Sequence, residues 1–542
     1  MSHTLTGPRS AARGSGLTGT RPLLHASLRQ EARSFAPWIA AVTALSASSV
    51  LAYAFIFPDA SDRKSLAAAV GGNPALSLIF GPARDLSSTD GFNTWRSLAL
   101  GGFITALMAI FAVIRASRAQ EDSGQAELLA SGVMGRSTRL AVAVAQASLA
   151  SLAVGVVSAV VTGLCGAGWA DTVLLSATFT VTGLMFAAVA AVTAQLGSDA
   201  RTASTLAVAV LGCLFVLRGY LDSMDFGDWV SWTTPLGWME RTQPATGNTW
   251  WPLLPGLALA ALLLLAAFAL QARRDFGQGA LAPRPGPERG AVRSPLALAW
   301  RLNRGPVLSW TVAFVLLGVV FGNFSTSVTG LLTDNPAAAA VLASGATSPD
   351  ALVASFLVTI LSLVGIIAAI SGVQTMLKVR SEEMEDRVEP VMAAAVRRPS
   401  YLGAHTLVAL AGPTAGVLVA GVVTALIAGT ADIGVGIGDV LLQTVATVPA
   451  VWTATAVSVA VIGARPQVKL SAWIGVLASF ALTLLGPTFK LPDWALSISP
   501  FHHIPHVTAA HPDWWGLLWI TLVTAAFLAI GLAGFRRRDL AR

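Results

Sequence analysis

"SLALGGFITALMAIFAVIRASRAQEDSGQAELLASGVMGR", residues 97–136, sets two chemistries side by side. Its first 18 residues, through Ile114, carry no charge. About 20 such residues cross a hydrocarbon core of roughly 30 Å as a helix. The remainder holds Arg115, Arg118, Glu121, Asp122, Glu127 and Arg136 in a chain only 12% charged and 54% hydrophobic, with a mean hydropathy of +0.68. A soluble protein carries about a quarter charged residues. Apolar runs like this one recur to the C-terminus, and lipid offers the backbone no hydrogen-bond partners, so the spans must be helical. The fold class is an all-α polytopic membrane protein.

We expect about twelve spans. In the first half they lie near 35–57, 97–114, 140–165, 173–195, 204–220 and 251–270. In the second they lie near 307–324, 351–376, 401–429, 440–462, 470–489 and 514–535. Several are rich in Ala and Gly, which lets helices approach closely in a bilayer. With the N-terminus inside, 28 of the 35 Lys and Arg residues fall on the cytosolic side. The exceptions are Arg63, Lys64, Arg84, Arg96, Arg218, Arg241 and Lys490. Both termini are then cytoplasmic in a multi-pass protein of the cytoplasmic membrane, and the net charge of +7 calls for no nucleic-acid partner. The opening 20 residues, polar and basic, read as a disordered tail and not as a cleaved signal peptide. Cys165 and Cys213 read as buried small hydrophobes with no disulfide or metal spacing.

The acidic segment has a second copy. In "RSEEMEDRVEPVMAAAVRR", residues 380–398, Arg380, Glu383, Glu389 and Arg398 match Arg118, Glu121, Glu127 and Arg136 at an offset of 262. The same offset joins "NPA" at 73–75 to "NPA" at 335–337. "TPLGW" at 234–238 and "SPFHH" at 499–503 lie 265 apart; "WWPLL" at 250–254 and "WWGLL" at 514–518, like "RRD" at 273–275 and 537–539, lie 264 apart. A near-constant offset over separated landmarks is duplication. Six spans per copy, an even number, make the repeats parallel. The divisions expected are a tail and interfacial helix over 1–34, a first six-span domain over 35–275, a Pro/Gly/Arg-rich cytosolic linker over 276–296, and a second six-span domain over 297–542. The segments 28–38 and 300–310 read as amphipathic elements preceding the first span of each half.

The driving force also leaves marks. Ion-coupled carriers keep ionisable groups inside their spans, and none of the twelve holds an Asp or Glu well inside; Asp171, Asp432 and Asp439 stand at span mouths. Gln146, Gln195, Gln374, Gln443 and His405 read as interhelical hydrogen bonders. A phosphate-cradling loop needs G-x-x-x-x-G-K-[ST], and none of Lys64, Lys378, Lys469 and Lys490 follows a Gly. The chain itself is therefore not expected to hydrolyse ATP, and we expect a transport permease, not an enzyme, with no cofactor of its own. If ATP drives it, a separate subunit must dock on the cytosolic face. Glu382, Glu385 or Asp386, and Glu389 would share one helical face, a stripe of like charge that a basic partner would relieve, with Val388, Val391 and Met392 beside it. For one copy a solvated loop is the alternative; retention of Arg, Glu, Glu and Arg in both favours docking.

The loops "RAQEDSGQAELL" and "RSEEMEDRVEPVM", the stretch "TPLGWMERTQP" followed by "WWPLL", and "SPFHHIPHV" give the chain, over most of its length, a resemblance to the fused permeases of ABC-2-type exporters, the tetronasin or polyketide-antibiotic exporter family. The resemblance implies that the loop between spans two and three of each half is a coupling helix entering a cleft of the ATP-binding subunit. Arg118, Glu121, Asp122, Glu127, Arg380, Glu383, Asp386 and Glu389 would then engage or anchor that subunit. It also implies two ATPase copies holding ATP and Mg, and export of hydrophobic or amphipathic compounds by alternating access. Asp386 departs from the family's Gly, and His502–His503 is also unusual.

In that family spans two and five of each half line the substrate route, where Phe103, Met108, Phe111, Phe215, Phe356, Trp473 and Phe480 are candidates. Trp232, Trp238, His502 and His503 are candidates for an extracellular gate, though the Trp-rich loop 228–251 also reads as an aromatic belt. The histidines 502, 503, 506 and 511 read as interfacial loop residues, with no metal site expected. Arg218 is expected to snorkel. An ion-coupled twelve-span facilitator, an exporter of an envelope lipid and a non-transporting scaffold are the competing readings.

Overall fold

A computed structural model describes residues 17–57, 59–71, 77, 79–124, 135, 137–223, 227–274, 279–280, 290, 292–334, 349–394, 396–429, 435–485, 491–509 and 512–539. Glu127, Arg136, both "NPA" motifs and most of the linker 276–296 lie outside the described residues. Among those described there is no strand. Eleven helices are long and apolar enough to cross a membrane. Contacts divide the chain into two compact units, Met1–Pro285 and Gly286–Arg542.

The first unit has six long helices: α1 (Thr20–Ile56), α2 (Thr89–Ala116), α3 (Thr138–Leu164), α4 (Trp169–Leu196), α5 (Ala200–Ser223) and α6 (Leu253–Arg273). Helix α4 is central, packed on α2, α3 and α6. Its core places Met108, Ile110 and Val113 of α2 against a cluster that includes Phe179 and Phe186 of α4. Small residues permit that closeness: a Cβ on Gly101 would sit 2.6 Å from the Phe179 ring. The start of α2 is set locally. Ser88 accepts a hydrogen bond from Gly91 N at 3.1 Å, and Asp90 lies in the first turn, where the helix dipole favours an acid.

The second unit repeats the plan with α7 (Pro295–Asp334), α8 (Pro349–Met384), α9 (Arg398–Ala428), α10 (Ile437–Ala464), α11 (Ile474–Phe480) and α12 (Trp515–Arg537). Here α10 takes the central place, against α8, α9 and α12. It meets α12 glycine to backbone: a Cβ on Gly534 would lie 2.6 Å from Ala464 Cα.

Four expectations change. The segments 28–38 and 300–310 are not separate interfacial elements. Helices α1 and α7 run through them unbroken, with Pro37 and Pro306 inside; a membrane helix tolerates proline because neighbours satisfy the freed groups. The eleventh span is no regular helix. A 3₁₀ run over Pro466–Trp473, with Val468 out of helical geometry, leads into α11, and π-helical turns follow over Ala481–Leu485. Cys213 is exposed on α5, not buried, and Cys165 is half-buried. Of the five polar side chains read as interhelical bonders, Gln374 bridges two helices but is exposed, and Gln443 is buried but bonds a loop. Gln443 donates to Pro505 O and accepts from Val507 N, both at 3.0 Å, and Gln374 accepts from Trp310 Nε1 at 3.1 Å. Gln195 turns back to its own helix at Ala191 O.

Replacing Gly534 with Val should overpack the α10–α12 seam and cost about 1–3 kcal/mol. Gly403→Ala, where the added carbon meets nothing, should be near neutral. Thermal unfolding in detergent compares the two.

Candidate functional site

Helix α2 ends at Ala116 because Ser117 leaves helical geometry (φ −123°, ψ −83°), its hydroxyl donating to Val113 O at 2.6 Å. A five-residue helix, Arg118–Asp122, follows, and Gly124 closes it at φ +74°. Of the candidates in this segment, Arg118, Glu121 and Asp122 are engaged within their own half, and Glu127 lies outside the described residues. Glu121 Oε1 accepts from Arg139 Nη2 at 3.1 Å and Arg274 Nη2 at 2.7 Å; Oε2 accepts from Arg118 Nη1 at 2.7 Å and Arg274 Nη2 at 2.8 Å. A carboxylate offers about four lone-pair positions, so Glu121, its side chain 6% exposed, has none left for a partner protein. Arg118, 1% exposed, also donates to Ser198 O beyond α4. Asp122 Oδ2 accepts from Ala200 N, at the start of α5, at 2.6 Å.

The second copy is built alike. Glu383, its side chain 2% exposed, accepts from Arg380 Nη1 at 3.1 Å and Arg538 Nη2 at 2.5 Å. Arg538 also donates from Nε to Gly463 O at 3.0 Å and from Nη2 to Ile462 O at 3.4 Å. Helix α8 then stops. Asp386 takes φ +56°, Arg387 N reaches Glu382 O at 3.0 Å and Asp386 N reaches Glu383 O at 3.1 Å, a left-handed C-terminal cap. Gly124 N makes the matching bond to Glu121 O at 3.2 Å. The Gly124–Asp386 difference therefore preserves one backbone turn; Asp is among the few residues with a side chain that tolerates it.

That stop breaks the expected acidic stripe. Glu382 is buried and paired with Arg387 at 2.8 and 3.0 Å, and this hydrogen bond raises the Arg387 pKa. Glu385, Asp386 and Glu389 lie past or at the turn and are exposed, Glu385 with its side chain at 52% beside Arg387. Val388, Val391 and Met392 do not face outward. They pack on Met376, Val379, Tyr401 and Leu402 of their own unit.

At the other end of the first unit, Arg218 does not snorkel. It is 2% exposed, donating to Glu240 Oε1 at 2.7 Å and Ile79 O at 2.9 Å, with Asp222 at 3.4 Å and the Phe215 ring 4.8 Å away. Gly81 (φ +88°) makes room, since a Cβ there would sit 2.9 Å from Glu240 Oε1. Glu240 ends a short helix, Pro235–Glu240, capped by Thr234 through Gly237 N at 3.0 Å. Nearby, Trp232 stacks on Trp251 at 4.7 Å and accepts at its carbonyl from Trp238 Nε1 at 2.7 Å.

In the second unit the matching end is open. His502 and His506 line a cavity of about 410 Å³ with Asp493 and Ser499, and His503 bonds Ser497 O at 2.8 Å. Burial, with His503 adding to it, lowers the His502 pKa against the pull of Asp493.

Of the substrate-route candidates, Phe103 and Phe215 meet edge to face at 4.9 Å, joining α2 to α5. Met108 is buried in the core, while Phe111 turns toward Trp38 at 6.2 Å. Trp473 lines a cavity of about 620 Å³ with Leu377, Arg380, Met384 and Leu470. Phe480 is exposed. Phe356 lies in α8, and its side chain is outside the described residues. Sequence reasoning missed Arg274, Arg538 and Glu240. The two arginines stood in view in the duplicated "RRD" motifs, and Glu240 in "WMERTQP".

A duplicated bundle of membrane-crossing helices with charges confined to its ends is the architecture of a transport permease. The family described as multidrug efflux system permease Rv1217c, C-terminal domain, matches residues 25–270 and again 292–536. The chain belongs to this family and carries two copies of its domain. It is also 37% identical, over 98% of its own length and 97% of the relative's, to the multidrug efflux system permease protein Rv1217c of Mycobacterium tuberculosis (strain ATCC 25618 / H37Rv). It is an efflux permease and a multi-pass membrane protein.

Removing both carboxylates (Glu240→Ala with Asp222→Asn) strands the buried Arg218 cation and should cost about 3–5 kcal/mol; adding Arg218→Leu to that pair should cost markedly less. Unfolding temperatures of the three chains decide it.

Proposed function

We propose that this chain is the permease subunit of an ATP-driven exporter of the ABC-2 type. It moves hydrophobic or amphipathic compounds outward across the cytoplasmic membrane by alternating access. The termini and both α2–α3 and α8–α9 loops face the cytosol, as the Lys/Arg distribution favours. ATP and Mg belong to a separate ATPase subunit, two copies of which dock on these loops. The observation that carries this reading is the construction of the loops. The first holds Glu121 and the second Glu382 and Glu383 inward in ion pairs, each then turns through a left-handed residue, and in the second copy Glu385, Asp386 and Glu389 are left exposed for a basic cleft. The relative is named as the permease protein of an efflux system, a description that suits a subunit. The Phe103–Phe215 contact between α2 and α5 suits a route for apolar cargo.

Proton coupling is the second reading, and one observation favours it: Asp222 and Glu240 are buried together on Arg218. The cluster exists in one half only, since the offsets of 264 and 265 bring Arg218 onto Leu482 and Glu240 onto Pro505.

Efflux of a hydrophobic cation from cells should require the cognate ATPase and should survive collapse of the proton gradient while ATP is maintained. Charge reversal at Glu127 and Glu389 together should leave the permease folded and abolish ATPase assembly. Efflux without the ATPase, lost with a protonophore, supports proton coupling instead.

A further inference from the structure

Glu121 and Glu383 were expected to touch a partner, yet each is consumed inside its own half, and the two halves consume it in the same way. Glu121 joins Arg118 at the end of α2, Arg139 in α3 and Arg274 just past α6. Glu383 joins Arg380 in α8 and Arg538 just past α12. A carbonyl at the end of the fourth helix of each half closes the network: Ser198 O, bound by Arg118, and Gly463 O, bound by Arg538. The third helix is tied in by Arg139 in one half, and in the other by Arg398, which donates to Arg538 O at 2.7 Å. The donors have been exchanged between copies while the points joined have stayed the same. Divergence around a preserved connection marks the connection itself as what matters.

We infer that the Glu121–Arg274 and Glu383–Arg538 pairs are latches that fasten the docking segment of each half, through the short helix Arg118–Asp122 in the first and through the last turn of α8 in the second, to the end of the sixth helix, so that displacement of the segment moves the helix ends together. Glu121 and Glu383 are thus positioning residues for transport, acting through the arginines. In the first half a five-residue helix beyond the break at Ser117 is held by Glu121 together with the Arg118–Ser198 and Asp122–Ala200 bonds, while in the second α8 runs unbroken to Met384. Without the latch a push on the loop would be absorbed by bending at Ser117. With it, the load passes through charge-assisted hydrogen bonds in a site shielded from water, which are stronger than neutral ones. The inference rests on the loops being where force enters, as proposed above.

The test uses the full-length chain and ethidium as probe, with two measurements: ethidium affinity of the purified permease, and ethidium efflux per folded molecule in cells. The variants Arg538→Gln and Arg274→Gln cut the latch while leaving Glu383 with Arg380 and Glu121 with Arg118 and Arg139, so no buried charge is left alone and the fold is kept. Each should retain folded amount and affinity within about twofold while efflux falls about tenfold or more, the scale of a lost coupling between sites. Arg538→Lys, which keeps the cation, should retain more efflux than Arg538→Gln. Efflux that is unchanged, or that falls only in step with folded amount or affinity, would overturn the latch. Wild-type efflux that needs no ATPase would overturn the proposed subunit and with it the latch's premise, whereas unchanged efflux in the latch variants beside an ATPase-dependent wild type would overturn the latch alone.

Discussion

A charged side chain that leaves water at the edge of a bilayer must take its partner with it, because an unpaired ion there costs more than a single tertiary contact returns. This constraint organises both ends of the first half. At one end Arg218 is enclosed with Glu240 and Asp222, tying α5 to the short helix before α6. At the other, Glu121 gathers three arginines from three different parts of the chain. Between them the bundle is held by the fit of small residues against aromatic ones, as at Gly101 and Phe179. The second half keeps the Glu383–Arg538 end and replaces the other with an open, histidine-lined cavity.

The helices and the duplication were legible because both are linear signals. Hydropathy marks spans, and an offset of 262 to 265 marks copies. Partners far apart in sequence were not legible. Arg218 read as a snorkelling residue because Glu240, 22 positions on, lies across a turn that only the fold brings back. Glu121 and Arg274 stand 153 positions apart, and "RRD" served only as a landmark. The acidic stripe failed for a local reason. A helical periodicity drawn across Asp386 ignores that its equivalent in the first copy is Gly124, a residue suited to positive φ. The eleventh span was apolar enough to be counted, but it enters on a 3₁₀ run that ends at Trp473 and leaves on π-helical turns over Ala481–Leu485, so only Ile474–Phe480 is regular α-helix.

These corrections narrow the docking surface proposed for a partner subunit. The carboxylates fall into two sets. Glu121, Glu382 and Glu383 face inward and are paired, while Glu385, Asp386 and Glu389 are exposed. A family of efflux permeases whose domain occurs twice in one chain would present two such surfaces, one per half, each fixed to its own bundle.

Hydrogen–deuterium exchange of the full chain, with and without the ATPase subunit, tests this division most directly. The backbone around 118–122 and 380–383 should already be protected in the permease alone and change little on assembly. The stretch 385–389 should exchange quickly and become protected only when the ATPase binds. Fast exchange at 118–122 and 380–383 in the free permease, with protection appearing there on binding, would contradict the account.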